Sequence, residues 1–213
     1  MDFTPIVTTL KISLIATAIT FFTGIFLAYK VVKLKRFKGL VDALIILPMV
    51  LPPTVVGFFL LMIFGKRSPI GQLLLQFDIN LVFTWQAAVI AAVTVSVPLM
   101  YRATRGAFES LDEDIINAAR TLGISERRIF WRIILPAARH GILAGLVLSF
   151  TRTLGEFGAT MMFAGNVPGI TQTMSTAIYS AVQANDYDSA FRQAILLVII
   201  SIVFLNISFK TRH

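Results

Sequence analysis

Arg152 and Glu156 stand four residues apart in a stretch, about Gly141 to Ala164, that otherwise carries no charge. At the centre of a bilayer each would cost on the order of 2.5 to 3.5 kcal/mol on insertion scales, so neither belongs against lipid. Two arrangements answer that cost. The pair can face a central pathway, where Arg152 offsets the charge of a passing anion and Glu156 keeps it from binding too tightly. Alternatively it is an i, i+4 ion pair that locks its helix, in the less favourable order with the cation first. Gly155 and Gly158 allow close approach of a second protomer, of the ion, or of a neighbouring helix. The hydroxyls of Thr151, Thr153 and Thr160 add donors, although threonine in a membrane helix often bonds its own backbone.

No catalytic constellation accompanies the pair. The chain has neither a G-x-x-x-x-G-K-[ST] phosphate loop nor a G-x-S-x-G elbow, so it is not expected to be an enzyme, and any ATP hydrolysis belongs to another subunit. Cysteine is absent, and His140 and His213 lack ligand-spaced partners, so no metal or other cofactor is expected on this chain.

The elements that must position these residues are membrane helices. Hydrophobic residues make up 56% of the 213 and charged residues 14%, with a mean hydropathy of +0.80, far more apolar material than a soluble core of this size buries. A crossing needs about 20 mainly apolar residues, and the uncharged runs Ile12 to Tyr29, Ala43 to Phe64 and Ile79 to Tyr101 supply three. A fourth run holds Arg152 and Glu156, and a fifth, about Gln193 to Phe209, is shorter. The expected fold is therefore all-α and integral to the membrane: one domain, 1–213, with spans at about 9–31, 40–64, 79–103, 138–164 and 190–209. Pro168 to Asn185, uncharged but rich in Thr, Ser and Gln, is expected to be an external loop with a short helix, either outside the membrane or dipping into it. Pro48, Pro52 and Pro53 remove donors from span two and predict a kink or local unwinding, either a gate or a static bend; Pro98 predicts a second kink. Gly141 and Gly145 have helix-packing spacing.

Orientation follows from the cations. Lys30, Lys33, Lys35, Arg36 and Lys38, then Arg102, Arg105, Arg120, Arg127, Arg128, Arg132 and Arg139, then Lys210 and Arg212 fall on one side, against Lys11, Lys66, Arg67 and Arg192 on the other. The positive-inside rule puts the N-terminus outside and the C-terminus in the cytoplasm. The net charge of +8 is then topology and attraction to anionic lipid, with no nucleic-acid partner implied. Span one has Asp2 and only Lys11 before it and its cations after it, unlike a signal peptide, and is expected to remain in the mature protein.

The cytoplasmic loop, about 104–136, reads as a helical hairpin. Ser110 and Glu113 have capping-box spacing, and Asp112, Glu113 and Asp114 suit a helix N-terminus, so a helix is expected from near Leu111. Ile115, Ala118, Ala119 and Leu122 repeat at three and four, and Gly123 stands where a left-handed C-terminal cap is needed. Ser125 can cap a second helix whose stripe, Ile129, Phe130, Ile133 and Ile134, runs until Pro136 interrupts it.

Asn117-Ala118-Ala119, three residues, Gly123, nine residues, then Ile133-x-Leu135-Pro136 resemble the cytoplasmic signature of ABC importer permeases, E-A-A-x3-G-x9-I-x-L-P. Every interval matches; the departure is Asn117 at the acidic first position. The resemblance implies an ABC importer permease fold in which this hairpin is the coupling helix, docking in a groove of the ATPase through Asn117, Ala118, Ala119, Leu122, Gly123, Arg127 and Arg128. The segments Leu47 to Gly57, Arg152 to Thr160, and Asn166 to Gly169 with Thr171 to Tyr179 narrow it: they look like the permease subunits of molybdate importers, with sulfate and tungstate permeases as relatives. Some relatives carry an additional N-terminal span, which is not expected here. The resemblance implies a homodimer in a prokaryotic inner membrane, a separate dimer of ATPase subunits that binds ATP and Mg, and an extracytoplasmic oxyanion-binding protein. The pathway would be lined by Arg152, Thr153, Gly155, Glu156 and Gly158. A reading from another class is an ATP-independent channel or secondary transporter with Arg152 and Glu156 as filter or proton relay.

Overall fold

The first helix is built inside out relative to a helix of a soluble protein. In the computed structural model, which describes residues 3–210 without the side chains of 207–210, α1 spans Thr4–Val32. Its buried stripe is made of small and hydroxylated residues, Thr9, Ser13, Ala16, Thr20, Gly24 and Ala28, while Val7, Leu14, Phe22 and Phe26 face outward. That pattern suits lipid outside and close backbone approach inside, because large apolar side chains gain nothing from leaving hydrocarbon.

Two further helices complete the central layer. α5 (Trp85–Glu109) begins where the Thr84 hydroxyl accepts a hydrogen bond from the Ala87 amide at 3.2 Å, and it buries Ala87, Ala88, Ala91, Ala92 and Met100. It continues unbroken through Pro98, where a kink was expected to mark the chain. At Gly24 an added Cβ would lie 2.5 Å from Met100 Cγ, so α1 and α5 meet closely there. α9 (Arg139–Leu154) packs against both α5 and α1: a Cβ at Gly141 would be 2.4 Å from Ala107 Cβ, and one at Gly145 3.0 Å from Ala103 Cβ. The packing role expected of this glycine pair is what the structure has. Hydroxyls link the layer, with Thr20 and Ser96 hydrogen-bonded at 2.8 Å and the Thr17 and Thr153 oxygens 3.4 Å apart. Such interhelical bonds contribute on the order of 0.6 kcal/mol each in membranes.

The remaining elements are breaks and short helices. α2 (Lys38–Val50) and α3 (Pro53–Phe64) are bent by 109° at Leu51 and Pro52, with Pro48 accommodated inside α2. α4 (Pro69–Leu75) follows. The stretch 138–164, expected as one span, is two helices, α9 and α10 (Gly158–Phe163), because the chain turns at Gly155 and Glu156. The Pro168 to Asn185 region contains α11 (Met174–Gln183), and α12 (Tyr187–Lys210) ends the described chain. Every regular element among the described residues is helical. Thr4–Val32, Trp85–Glu109 and Tyr187–Asn206 are each long and apolar enough to cross a membrane. Counting α2 with α3, and Glu126–Ala137 with α9, as bent crossings brings the number to five. The Lys210 side chain, Arg212, His213 and Asp2 lie outside the described residues.

Candidate coupling surface and translocation site

The cytoplasmic hairpin begins later than its sequence suggests. α5 runs on to Glu109, whose carboxylate accepts from Arg105 Nε and Lys38 Nζ at 2.9 Å each, so Ser110 is spent closing α5 and donates to Ala107 O. The expected Ser110–Glu113 capping box is therefore absent. α6 (Glu113–Thr121) is capped instead by Asp112, whose carboxylate accepts from the Asp114 amide at 2.9 Å. At its other end Gly123 adopts φ +73, and the Ile124 and Gly123 amides donate to Ala119 O and Arg120 O. These two bonds form a Schellman motif, which needs a left-handed residue where glycine stands.

The second arm also departs from expectation. α7 (Glu126–Ile129) starts after Ser125, whose carbonyl takes the first amides while its hydroxyl makes no cap. Pro136 does not stop the helix. A proline lacks the N–H and crowds the carbonyl four residues back. The turn over Phe130–Ile134 widens, the Leu135 amide donating to Phe130 O five residues away, and the helix passes Pro136 as α8 (Leu135–Ala137) before bending by 71° at Ala138.

One face of this hairpin is packed and the other is open. Ala119, Ile129 and Ile134 are buried against Phe108 and the end of α1. Asn117, Ala118, Leu122, Gly123, Arg127 and Arg128 all face outward, and Leu122 at 78% and Ile115 at 58% exposure are apolar side chains left uncovered. Of the seven predicted coupling residues, only Ala119 points into the bundle. A tether that single-sequence reasoning missed fixes the arm: Glu126 accepts from Arg120 Nε at 2.7 Å and from Lys33 Nζ at 2.8 Å, and Arg120 Nη1 donates to Asn117 Oδ1 at 2.9 Å. The hydrogen bond from Arg120, then that from Lys33, holds the Glu126 carboxyl down at about 2. At Lys33 burial lowers the pKa, but the bonds to Glu126 and Tyr29 outweigh it and raise it. On this outward face Asn117 accepts from an arginine at the position where the signature has an acid.

A second network was equally invisible in sequence. Tyr101, fully buried, donates to Asp42 Oδ1 at 2.7 Å, and Arg105 also bonds Asp42 while holding Glu109. Asp42 and Arg105 are joined only because α2 crosses α5 at that height.

Arg152 and Glu156 form an ion pair, one of the two arrangements open from sequence, Nη1 to Oε2 at 2.6 Å, off the line of a hydrogen bond. They do not share one regular helix: Arg152 is in the last turn of α9 and Glu156 in the break after it. Glu156 Oε1 accepts from the Ala159 amide at 2.8 Å, so one carboxylate starts α10 and steadies the guanidinium. The environments differ, the Glu156 side chain being 2% exposed and that of Arg152 31%. Thr153 is buried and donates to Phe150 O; Thr151 likewise bonds Val147 O, as backbone-bonding threonines do. At Gly158 a Cβ would lie 3.0 Å from Pro53 Cβ and 3.1 Å from the Thr54 amide, so this glycine packs α10 on α3 within one protomer. Gly155 is exposed. The start of α3, just after the break at Pro52, therefore rests against the start of α10 at Gly158, just after the break at Gly155; both prolines, Thr54 and Gly155 are exposed.

Apolar crossings, a charged pair at a helix break and a helical hairpin outside the bundle suit a membrane permease. Over residues 20–211 the chain matches the family described as binding-protein-dependent transport system inner membrane component. It is 43% identical over 202 residues to the molybdenum transport system permease protein ModB of Escherichia coli (strain K12), covering 93% of this chain and 88% of that protein. It is 35% identical over 205 residues to the sulfate transport system permease protein CysT of Salmonella typhimurium, covering 94% and 74%. A bacterial ABC transporter involved in the import of alginate shares its fold, with a TM-score of 0.82 at 17% identity over 98% of this chain and 77% of that one. The chain belongs to the binding-protein-dependent transport system inner membrane component family. It is an inner-membrane ABC importer permease.

Proposed function

We propose that this permease imports a tetrahedral oxyanion, molybdate, as the membrane half of an ATP-driven transporter. The observation that carries the reading is the half-open guanidinium of Arg152, held by a buried carboxylate at a helix break. A cation fixed from behind can meet an anion in transit, and the neighbouring carboxylate offsets its charge so that the ion is released again. Arg152 and Gly155 face this part of the path, with Glu156, Thr153 and Gly158 packed behind them, and Pro48, Pro52 and Pro53 let the adjoining helix gate it. The likeness to a molybdenum permease, at 43% identity, supports molybdate among oxyanions. The likeness to a sulfate permease keeps sulfate as the second reading, with tungstate, nearly identical to molybdate in charge and shape, beside it.

In this reading two copies of the chain form one path at their interface. The chain crosses five times, at about 9–31, 40–64, 79–103, 138–164 and 190–209, with its N-terminus outside. It catalyses nothing itself. ATP and Mg bind a separate ATPase dimer, which grips Asn117, Ala118, Ala119, Leu122, Gly123, Arg127 and Arg128. An extracytoplasmic binding protein delivers the oxyanion. Movement of the hairpin on ATP binding rocks the helices as rigid bodies and opens the path to alternate sides.

The test is uptake of radiolabelled molybdate into proteoliposomes holding this chain, its ATPase and its binding protein, shown to be assembled. Uptake that needs ATP inside the nucleotide-accessible compartment and resists excess sulfate is expected. Competition by sulfate moves the assignment to sulfate, and uptake without ATP, or by this chain alone, replaces the ABC mechanism with a channel or secondary transporter.

A further inference from the structure

The cations near the hairpin fall into two groups. Lys33, Lys38, Arg105 and Arg120 each hold a carboxylate. Lys30, Arg127, Arg128, Arg132 and Arg139, all exposed, hold none among the described residues, and Arg139 Nε donates to His140 Nε2 at 3.3 Å. Lys30, Arg132 and Arg139 lie in or beside a feature with no part in the proposed path, an apolar groove of about 450 Å³ between α1, the second hairpin arm and α9. Phe22 and Phe26 form its α1 wall, Trp131 and Leu135 its hairpin wall, and Leu143 its α9 wall, with Arg139 as the charged side chain in the lining. Its size is within the range of small-molecule sites, about 300–1,000 Å³. The 71° bend at Ala138 swings the hairpin arm away from the line of α9, and the groove lies in that angle.

The two ends of the groove differ in chemistry. Lys30 Nζ lies 5.5 Å over the Phe26 ring, at the edge of the α1 wall. Trp131 also lines an adjoining pocket of about 280 Å³ with Ser125, Arg127, Arg128 and Arg132. One indole therefore divides an aromatic slot from an arginine cluster. Tryptophan takes such a position at the level of lipid headgroups, and basic pockets between membrane helices recognise anionic ones.

We infer that this groove is a binding site for an anionic phospholipid, with an acyl chain between the α1 aromatics and Leu135 and the phosphate on Arg132 and Arg139. Arginine suits the task because its planar fork meets two phosphate oxygens at once. The lipid would rest against the arm that carries Arg127 and Arg128, so the bilayer's composition would be felt by the hairpin. Binding of lipid at this place does not depend on which oxyanion is carried or on how ATP is used.

The full-length chain is titrated with phosphatidylglycerol or with phosphatidylcholine of the same acyl composition, and retained lipid is counted by native mass spectrometry. Phosphatidylglycerol is expected to be retained preferentially. Arg132→Gln and Arg139→Gln should each weaken its retention about five-fold, the attraction of one surface cation for anionic lipid. Arg192→Gln, at a cation bonded to Ser189 far from the groove in sequence, should change nothing. Leu143→Trp, which fills the slot, should lower retention while leaving all the arginines in place. Equal retention of the two lipids, or retention unaltered in the arginine and Leu143 variants, as a groove covered by a second copy of the chain would give, overturns the inference.

Discussion

At the scale of single residues, Glu156 does more than balance a charge. Its two oxygens serve different partners, Oε1 the Ala159 amide and Oε2 the Arg152 guanidinium, and the side chain is almost wholly enclosed. Glu156→Ala leaves a buried amide and a half-buried cation without their acceptor and should destabilise the chain by about 1–3 kcal/mol. Glu156→Gln keeps a carbonyl oxygen for the amide and should cost distinctly less while still removing the charge. Thermal unfolding in detergent separates them, and equal losses would show that the charge pair alone matters. Glu126 is governed by charge on the outside of the bundle. Its folded pKa of about 2 lies below the ordinary 4.5, so its stabilising contribution is full above that value and fades as pH falls from 4.5 toward 2. Hydrogen exchange of the Ile129 amide, which bonds Ser125 O, should therefore be independent of this group at neutral pH once intrinsic rates are removed. Protection should drop only in that acid window, and Glu126→Gln should abolish the drop.

At the scale of elements, contact is made where side chains are missing. α3 and α10 approach so closely at Gly57 that a Cβ there would stand 2.7 Å from Ala159 O and 2.8 Å from Ala159 Cα, both backbone atoms that cannot step aside. Gly57→Ala should cost about 1–3 kcal/mol as the helices are forced apart. Gly39→Ala, in α2 with nothing within 4 Å of the new methyl, should be neutral or stabilise by up to about 1 kcal/mol. Thermal shifts of the two variants in one detergent test the contrast. If both behave alike, the α3–α10 contact is looser than its geometry states.

At the scale of the whole molecule, the 109° bend between α2 and α3 allows two topologies, a bent crossing or a loop that re-enters one face. The cation distribution favours a crossing, with Gly39 in the cytoplasm and Lys66 outside. Because the chain contains no cysteine, Gly39→Cys and Lys66→Cys each place a single thiol at an exposed position. In intact cells a membrane-impermeant maleimide should label the cysteine at 66 directly and that at 39 only after permeabilisation. Labelling of both from one side would make α2 and α3 a re-entrant pair and require a new count of crossings.

Sequence alone determined what depends on short range and on composition. The apolar runs required a membrane, the three-and-four spacing gave the hairpin, and Gly123 turned left-handed because only the chain's own backbone was being closed. Gly141 and Gly145 could be assigned to packing because small residues have little else to offer in lipid. Tertiary structure decided everything that rests on which helix lies beside which. Ser110 lost its cap because Lys38, 71 residues away, joins Arg105 of the same helix in holding Glu109 in α5, and Pro136 passed because the preceding turn could widen. Gly158, after the break at Gly155, came to rest against Pro53 and Thr54 of α3, and Asp42 met Arg105 across 63 residues. A sequence states local preference at every one of these positions. Which preference prevails is set by the partner that packing delivers, and that partner is remote along the chain.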